Sequence, residues 1–278
     1  MKVGSLLREA AAKLPAGAGL PDPAREARWL LAAALGCPES WLVAHADDEL
    51  PAPAVERFRG WLARRGAGEP AHYIAGACPF WGRDFIVSPA VLIPRPETEL
   101  LIASALSLPP APPGRVLDVG TGSGCLAVTL ALELSAARVV ATDVSFAALA
   151  VARANARRHD ADVSLLVADL ATPLAGRFDL VVANLPYLPA GLRAALSPEI
   201  REHEPFDALF GGPRGHEQVS RLIAALPRLL AAGGHALLEI GDGQADALAA
   251  DAAAVGLLHV ATVPDASGTA RVIGLARP

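Results

Sequence analysis

Apolar residues recur at helical spacing over roughly the first seventy positions, and in short strand-like runs after about position 115. Leu6, Leu7, Ala10, Ala11 and Leu14 line one face of a first helix. Asp22-Pro23 supplies an N-cap and a first-turn proline for a second, whose apolar face carries Ala27, Leu30, Leu31 and Ala34, with Gly36 at its C-cap. Pro51 to Arg65 reads as another helix, with Val55, Phe58, Trp61 and Leu62 at helical spacing. Gly68-Glu69-Pro70 then closes the lobe, and Tyr73 to Val87 turns aromatic and β-branched around Gly76, Pro79 and Gly82, as in a hairpin-like linker. Two prolines flanking Arg95 keep that stretch extended, and Glu97 and Glu99 open the next helix, where acids favour the dipole. The expected organisation is a helical domain over residues 1–72, a linker over 73–98 and a larger domain over 99–278.

In the larger domain apolar runs alternate with amphipathic ones, the mark of a parallel sheet covered by helices. The runs Arg115 to Val119, Arg138 to Thr142, Val163 to Ala168, Phe178 to Ala183 and His235 to Ile240 read as strands. Cys125 to Leu134, Phe146 to Arg158, Gln218 to Leu230 and Gln244 to Ala254 read as helices. Between the last two runs, Leu258 to Val263 and Ala270 to Leu275, the connection is too short for a helical crossover, so they form an antiparallel hairpin. A seven-stranded Rossmann-like sheet whose last strand is antiparallel is similar to that of class I methyltransferases dependent on S-adenosylmethionine.

Composition narrows the setting. Hydrophobic residues make up 53% of 278, enough for a sizeable core, yet no apolar stretch reaches a bilayer span, so no membrane segment is expected. Charge arrives too early in Met1-Lys2-Val3 for a signal peptide. Cys37, Cys78 and Cys125 form no CxxC pair and the seven histidines are scattered, which points to a reducing cytoplasm and away from a metal site. A net charge of −5 disfavours a partner held by phosphate neutralisation, so no direct nucleic-acid contact is expected.

The candidate chemistry lies at strand ends. Gly120-Thr121-Gly122-Ser123-Gly124 follows the first strand of the domain, and such a turn lets backbone approach a ligand closely. Asp143, about twenty residues on, is placed to bind both hydroxyls of a ribose, and Asp169, followed by Leu170, to reach an adenine amino group. The turn is one residue shorter than G-x-G-x-x-G, and the turn, Asp143 and Asp169 together favour S-adenosylmethionine over a dinucleotide. Asn184-Leu185-Pro186-Tyr187 ends the fourth strand. The Asn184 side-chain oxygen and the Leu185 carbonyl suit the two hydrogens of a planar –NH2, with Tyr187 over its face. Read alone, the same residues equally make a plain strand end with Tyr187 as core filler. Asp118 and Asn155 likewise read as loop-orienting and helix-packing residues.

Together these motifs resemble the bacterial peptide chain release factor glutamine methyltransferases. The likeness covers Ala27-Arg28-Trp29-Leu30-Leu31, Phe80-Trp81-Gly82, Leu92-Ile93-Pro94-Arg95-Pro96-Glu97-Thr98-Glu99, the glycine turn, Asp143, the Asn184 site, Glu204-Pro205, Gly211-Gly212 and Gly268 to Val272. It implies methyl transfer to the glutamine of a Gly-Gly-Gln loop in class I release factors, by a monomer whose helical lobe docks the protein substrate. One departure stands out: Leu185 replaces the proline usual at that position, and Asn-Leu-Pro-Tyr is also the form of ribosomal RNA adenine dimethylases. An adenine amino-methyltransferase acting on RNA or DNA and a ribosomal-protein glutamine methyltransferase are the alternatives.

Overall fold

Helical spacing in the first seventy residues produces a helical unit. The computed structural model describes residues 1–14, 22–108, 113–174 and 176–278, and these form two compact units, Met1–Ala77 with Ser197–His203, and Cys78–Leu196 with Glu204–Pro278. In the first unit α1 (Val3–Ala11), α2 (Pro23–Leu35), α3 (Glu39–Ala44), α4 (Ala52–Gly66) and α5 (Ala71–Ala75) follow one another. Leu6, Ala10, Ala27, Leu30, Leu31, Phe58 and Leu62 meet in one core. The Asp22 carboxylate caps α2 by accepting from the Ala24 N–H, and Gly36 ends it. Helices α3 and α5, of six and five residues, are too short to show a period in the sequence. Tyr73 to Ala75 are therefore helical, and the expected hairpin starts at Ala77. The Arg65 guanidinium, 2% exposed, pairs with Glu26 (2.7 Å) and with Glu199 (2.9 Å) from the Ser197–His203 segment. A buried arginine needs such partners, because its charge has lost its water.

The hairpin joins β1 (Ala77–Phe80) to β2 (Arg83–Ile86). Trp81 and Gly82, both at positive φ, turn it in the sense that suits the twist of the two strands. A single 3-10 turn, Pro96–Thr98, leads into α6 (Glu99–Leu106), and the Glu99 carboxylate accepts from the Trp81 N–H at 2.6 Å. Then come β3 (Arg115–Val119), α7 (Cys125–Glu133), β4 (Arg138–Asp143), α8 (Phe146–Arg158), β5 (Val163–Val167) and β6 (Phe178–Ala183). An irregular stretch holds β7 (Leu188–Pro189), α9 (Pro198–His203), α10 (Phe206–Leu209) and β8 (Phe210–Gly212). The chain closes with α11 (Glu217–Leu229), β9 (Leu230–Glu239), α12 (Ala245–Ala254), β10 (Leu258–Pro264) and β11 (Ala270–Ala276).

Seven strands form one sheet in the order β10-β11-β9-β6-β3-β4-β5. β11 runs antiparallel to both neighbours and the other pairs are parallel. The last strand is thus wedged between β9 and β10. Alternation along β6 feeds two cores: Leu180 and Val182 join Phe85, Leu101 and Leu126 on one side, while Val181 and Ala183 join Leu222, Leu238 and Ile273 on the other. From β3 the chain winds one way through β4 and β5, and from β6 the other way through β9. Ligands bind at such a reversal, beyond the carboxyl ends of the strands.

Candidate active site

At that reversal, between the ends of β3 and β6, lies a cavity of about 450 Å3, within the range of small-molecule sites. Gly120, Thr121, Gly122, Ser123, Asp143, Asp169, Leu170, Asn184, Leu185 and Pro186 all line it. Gly124 and Tyr187 are not among its lining residues.

The glycine turn is held by its near neighbours. The N–H groups of Gly120 and Thr121 both donate to the Thr142 carbonyl at 2.9 Å, drawing the loop onto β4. Beneath it the Thr121 hydroxyl donates to Asp118 Oδ2 (2.6 Å), and burial pushes the Asp118 carboxyl up to about 7. The reading of Asp118 as a loop-orienting residue fits this contact. Asp143 is fixed by two backbone donors, Gly122 N–H on Oδ2 (2.9 Å) and Ser145 N–H on Oδ1 (2.8 Å). Each oxygen keeps a free lone pair beside the cavity, which a ribose diol requires. Gly120, at φ +74°, has Leu185 Cδ2 only 2.8 Å from where a Cβ would stand. Gly124 starts α7, and a Cβ there would sit 3.0 Å from that of Ala152 on α8. Gly122 meets nothing within 4 Å and opens to the cavity. Asn155 ties the turn to the hairpin: its Nδ2 donates to the carbonyls of Ser123 (2.8 Å) and Ile86 (2.9 Å), and its Oδ1 accepts from Ile86 N–H (2.7 Å). The volume, the open glycine and the pinned carboxylate fit S-adenosylmethionine. Asp169 is more exposed, with Oδ2 accepting from Arg221 Nη2 at 2.7 Å, and Leu170 beside it is in the left-handed region at φ +53°. Strain of that kind in a non-glycine residue clusters at ligand sites.

The Asn184 loop is held from farther away. Asn184 Nδ2 donates to Thr98 Oγ1 at 3.0 Å, leaving Oδ1 as the acceptor beside the cavity. Leu185 is buried against the core and against Gly120. Tyr187, expected over the substrate's face, instead turns its hydroxyl to Glu239, and its carbonyl accepts from Gln244 Nε2 (2.9 Å). Burial, with the Glu239 charge nearby, raises the Tyr187 pKa, so the phenol stays a donor. Gly211 and Gly215 close the loop from below, since a Cβ at 211 would overlap the carbonyl oxygens of Pro186 and Gly215, and one at 215 that of Tyr187. The stretch before α6 walls one side through Ala90, Val91, Leu92, Pro94 and Thr98, anchored where Arg95 pairs with Glu204 at 2.5 Å. Cys125 also lines the cavity, but burial pushes its thiol up to about 12, which keeps it protonated and a poor methyl acceptor.

Thr98 and Glu239 were not predicted as site residues. Thr98 is hidden among acids in Pro96-Glu97-Thr98-Glu99. Glu239 did leave a signal, as a lone carboxylate in the apolar run Ala236-Leu237-Leu238-Glu239-Ile240.

A family model described as the PrmC N-terminal domain matches residues 5–76, and one described as the methyltransferase small domain matches residues 97–196. The release factor glutamine methyltransferase of Cereibacter sphaeroides is 42% identical over 280 residues, spanning 100% of this chain and 99% of its own. That of Geobacter sulfurreducens is 42% identical over 257 residues, spanning 92% and 90%. Among solved structures, a methyltransferase from Pyrococcus furiosus superposes with a TM-score of 0.53 at 19% identity, covering 71% of this chain and 89% of that one. This last likeness carries the fold alone. With a class I S-adenosylmethionine methyltransferase fold, the matching cavity and this extent of identity, the chain belongs to the release factor glutamine methyltransferase family.

Proposed function

We propose that the chain transfers a methyl group from S-adenosylmethionine to the side-chain amide nitrogen of the glutamine in the Gly-Gly-Gln loop of class I peptide chain release factors. The observation that carries this reading is the orientation of Asn184: with Nδ2 engaged by Thr98, an acceptor oxygen stands at the cavity that holds the glycine turn and Asp143.

Bound S-adenosylmethionine supplies an electrophilic methyl group on a sulfonium centre. Asp143 would hold the ribose end, and the glycine turn would let the backbone come close. An amide nitrogen is a weak nucleophile, because its lone pair is shared with the carbonyl. Asn184 Oδ1 and the Leu185 carbonyl accept its two hydrogens, which fixes the direction of the lone pair. Alignment of this kind lowers a barrier by about 7–11 kcal/mol in favourable systems. The methylated nitrogen is strongly acidic until it loses a proton, so water suffices as the base. Tyr187 acts from outside the cavity, holding the loop through Glu239 and Gln244. Leu185 replaces proline without cost to this scheme, since its backbone makes the contact and its side chain fills the space left by Gly120. The partner is a protein, engaged by a monomer in the cytoplasm without direct nucleic-acid contact, in keeping with the net charge of −5.

Labelled S-adenosylmethionine offered together with intact release factor, a release factor whose Gly-Gly-Gln glutamine is substituted, ribosomal protein and ribosomal RNA tests the reading. Label is expected on the intact release factor alone. Label only on RNA or on a ribosomal protein would replace the proposed substrate with one of the alternatives.

A further inference from the structure

Glu239 is a buried acid that the chemistry above leaves unassigned. It ends β9, one residue past Leu238, which pairs with Ala183 just before Asn184. The residue is 1% exposed and its Oε2 has no hydrogen-bond partner. Two hydroxyls face the carboxyl group, those of Thr98 and Tyr187. The same Thr98 hydroxyl accepts from Asn184 Nδ2 at 3.0 Å. Asn184, Thr98, Glu239 and Tyr187 thus form a line of polar groups running from the cavity into the core.

A hydroxyl has a single proton to donate. An ionised carboxylate has none and only accepts. When Thr98 donates to Glu239, its oxygen is left to accept, and the partner it can accept from is the Asn184 –NH2. The amide of Asn184 then has one orientation, nitrogen towards Thr98 and oxygen towards the cavity. We propose that Glu239 is a positioning residue: acting through Thr98, it fixes the Asn184 amide with its acceptor oxygen towards the substrate, and through the Tyr187 hydroxyl it anchors the far end of the same loop. This deepens the functional reading and rests on it, because an acceptor at that point is useful only for a substrate carrying –NH2.

A glutamine at 239 keeps one acceptor but adds an –NH2, so the acceptor-only constraint is lost and the –NH2 can face Thr98. Thr98 would then be free to donate to Asn184, and the reversed amide would meet the substrate –NH2 donor to donor. The charges bearing on Glu239 are those of Glu97 and Arg271, which act in opposite directions, and Arg271 is itself held by Asp265 at 2.8 Å. Burial pushes the Glu239 carboxyl up to about 7. Its acceptor-only form therefore fills in as pH rises through that value, and turnover rises with it.

The test measures glutamine methylation by the full chain and by Glu239→Gln, Thr98→Val and Thr98→Ser, together with the affinity of each for S-adenosylmethionine. Glu239→Gln and Thr98→Val are each expected to lower kcat by about 100-fold, with cofactor affinity within about twofold of wild type. Thr98→Ser is expected to regain most of what Thr98→Val loses, and the Glu239→Gln/Thr98→Val double variant to be no worse than either alone. The rise of kcat near neutral pH is expected to vanish in Glu239→Gln. The proposal is overturned if Thr98→Val keeps a kcat within about threefold of wild type, however well Glu239→Gln folds. It is equally overturned if the two losses multiply in the double variant. A wild-type chain that never methylates glutamine would sink the functional reading itself, which is a separate outcome.

Discussion

The two halves of the active site are built in opposite ways. The glycine turn is held mainly by Asp118, Thr121, Thr142 and Asp143, within one strand-helix-strand unit, together with Asn155 from the helix that follows. The Asn184 loop is held by Thr98, Gly211, Gly215, Glu239 and Gln244, spread over most of the large unit. The glycine turn and the acid beside it thus come largely from one local motif. An amide-orienting site needs partners for every polar atom in a short loop, and such partners come from wherever the fold provides them.

The largest effect is expected at Gly211. Any side chain there meets backbone rather than a movable side chain, so Gly211→Ala is expected to cost about 3 kcal/mol or more in stability and to abolish methylation. Urea unfolding with a turnover assay checks both. Next comes a contrast inside the glycine turn. Gly124→Ala strains a positive φ and presses on Ala152, so it should lower stability by about 2 kcal/mol. Gly122→Ala meets open space and should lose only about 1 kcal/mol, yet weaken cofactor affinity more, because its Cβ enters the cavity. Equal stability losses in the two, measured with calorimetric cofactor titration alongside, would show that the turn is not held as described.

A smaller effect follows from the buried acids. The Glu239 and Asp118 carboxyls are raised from ordinary carboxylate values to about 7. Between the ordinary carboxylate range and about pH 7, the folded chain binds more protons than the unfolded one, so stability falls as pH rises through that window and levels off above it. The melting temperature is expected to drop on going from about pH 5 to about pH 7, and Glu239→Gln and Asp118→Asn are each expected to remove part of the slope. The least effect belongs to Asp169→Asn. Its pair with Arg221 is exposed on both sides, so stability should change by less than about 1 kcal/mol, with cofactor affinity falling only modestly.

The same division explains what could be read from the chain. The sheet was legible because parallel strands buried on both faces are near-continuous apolar runs, and the short link between Pro264 and Ala270 forces an antiparallel return. Gly120 to Gly124 and Asp143 stood out as candidates through their spacing, and the Gly122 N–H does meet the Asp143 carboxylate. Asn184 was visible, but its orientation depends on Thr98, 86 residues away, and no local pattern carries that. Tyr187 shows the limit most clearly. An aromatic beside a candidate site suggests stacking, whereas here its hydroxyl is claimed by a buried glutamate at the end of another strand. Helices α3 and α5 escaped for a plainer reason, being too short for a period to emerge.

In the proposed reaction Asn184 orients a glutamine amide for methylation. Mass spectrometry of the Gly-Gly-Gln peptide from a release factor incubated with S-adenosylmethionine and either wild-type chain or Asn184→Ala tests it most directly. One added methyl is expected on the glutamine with wild type, and a rate at least about 100-fold lower with Asn184→Ala, while that variant still binds the cofactor and keeps its melting temperature. Near-normal methylation by a folded Asn184→Ala would contradict it.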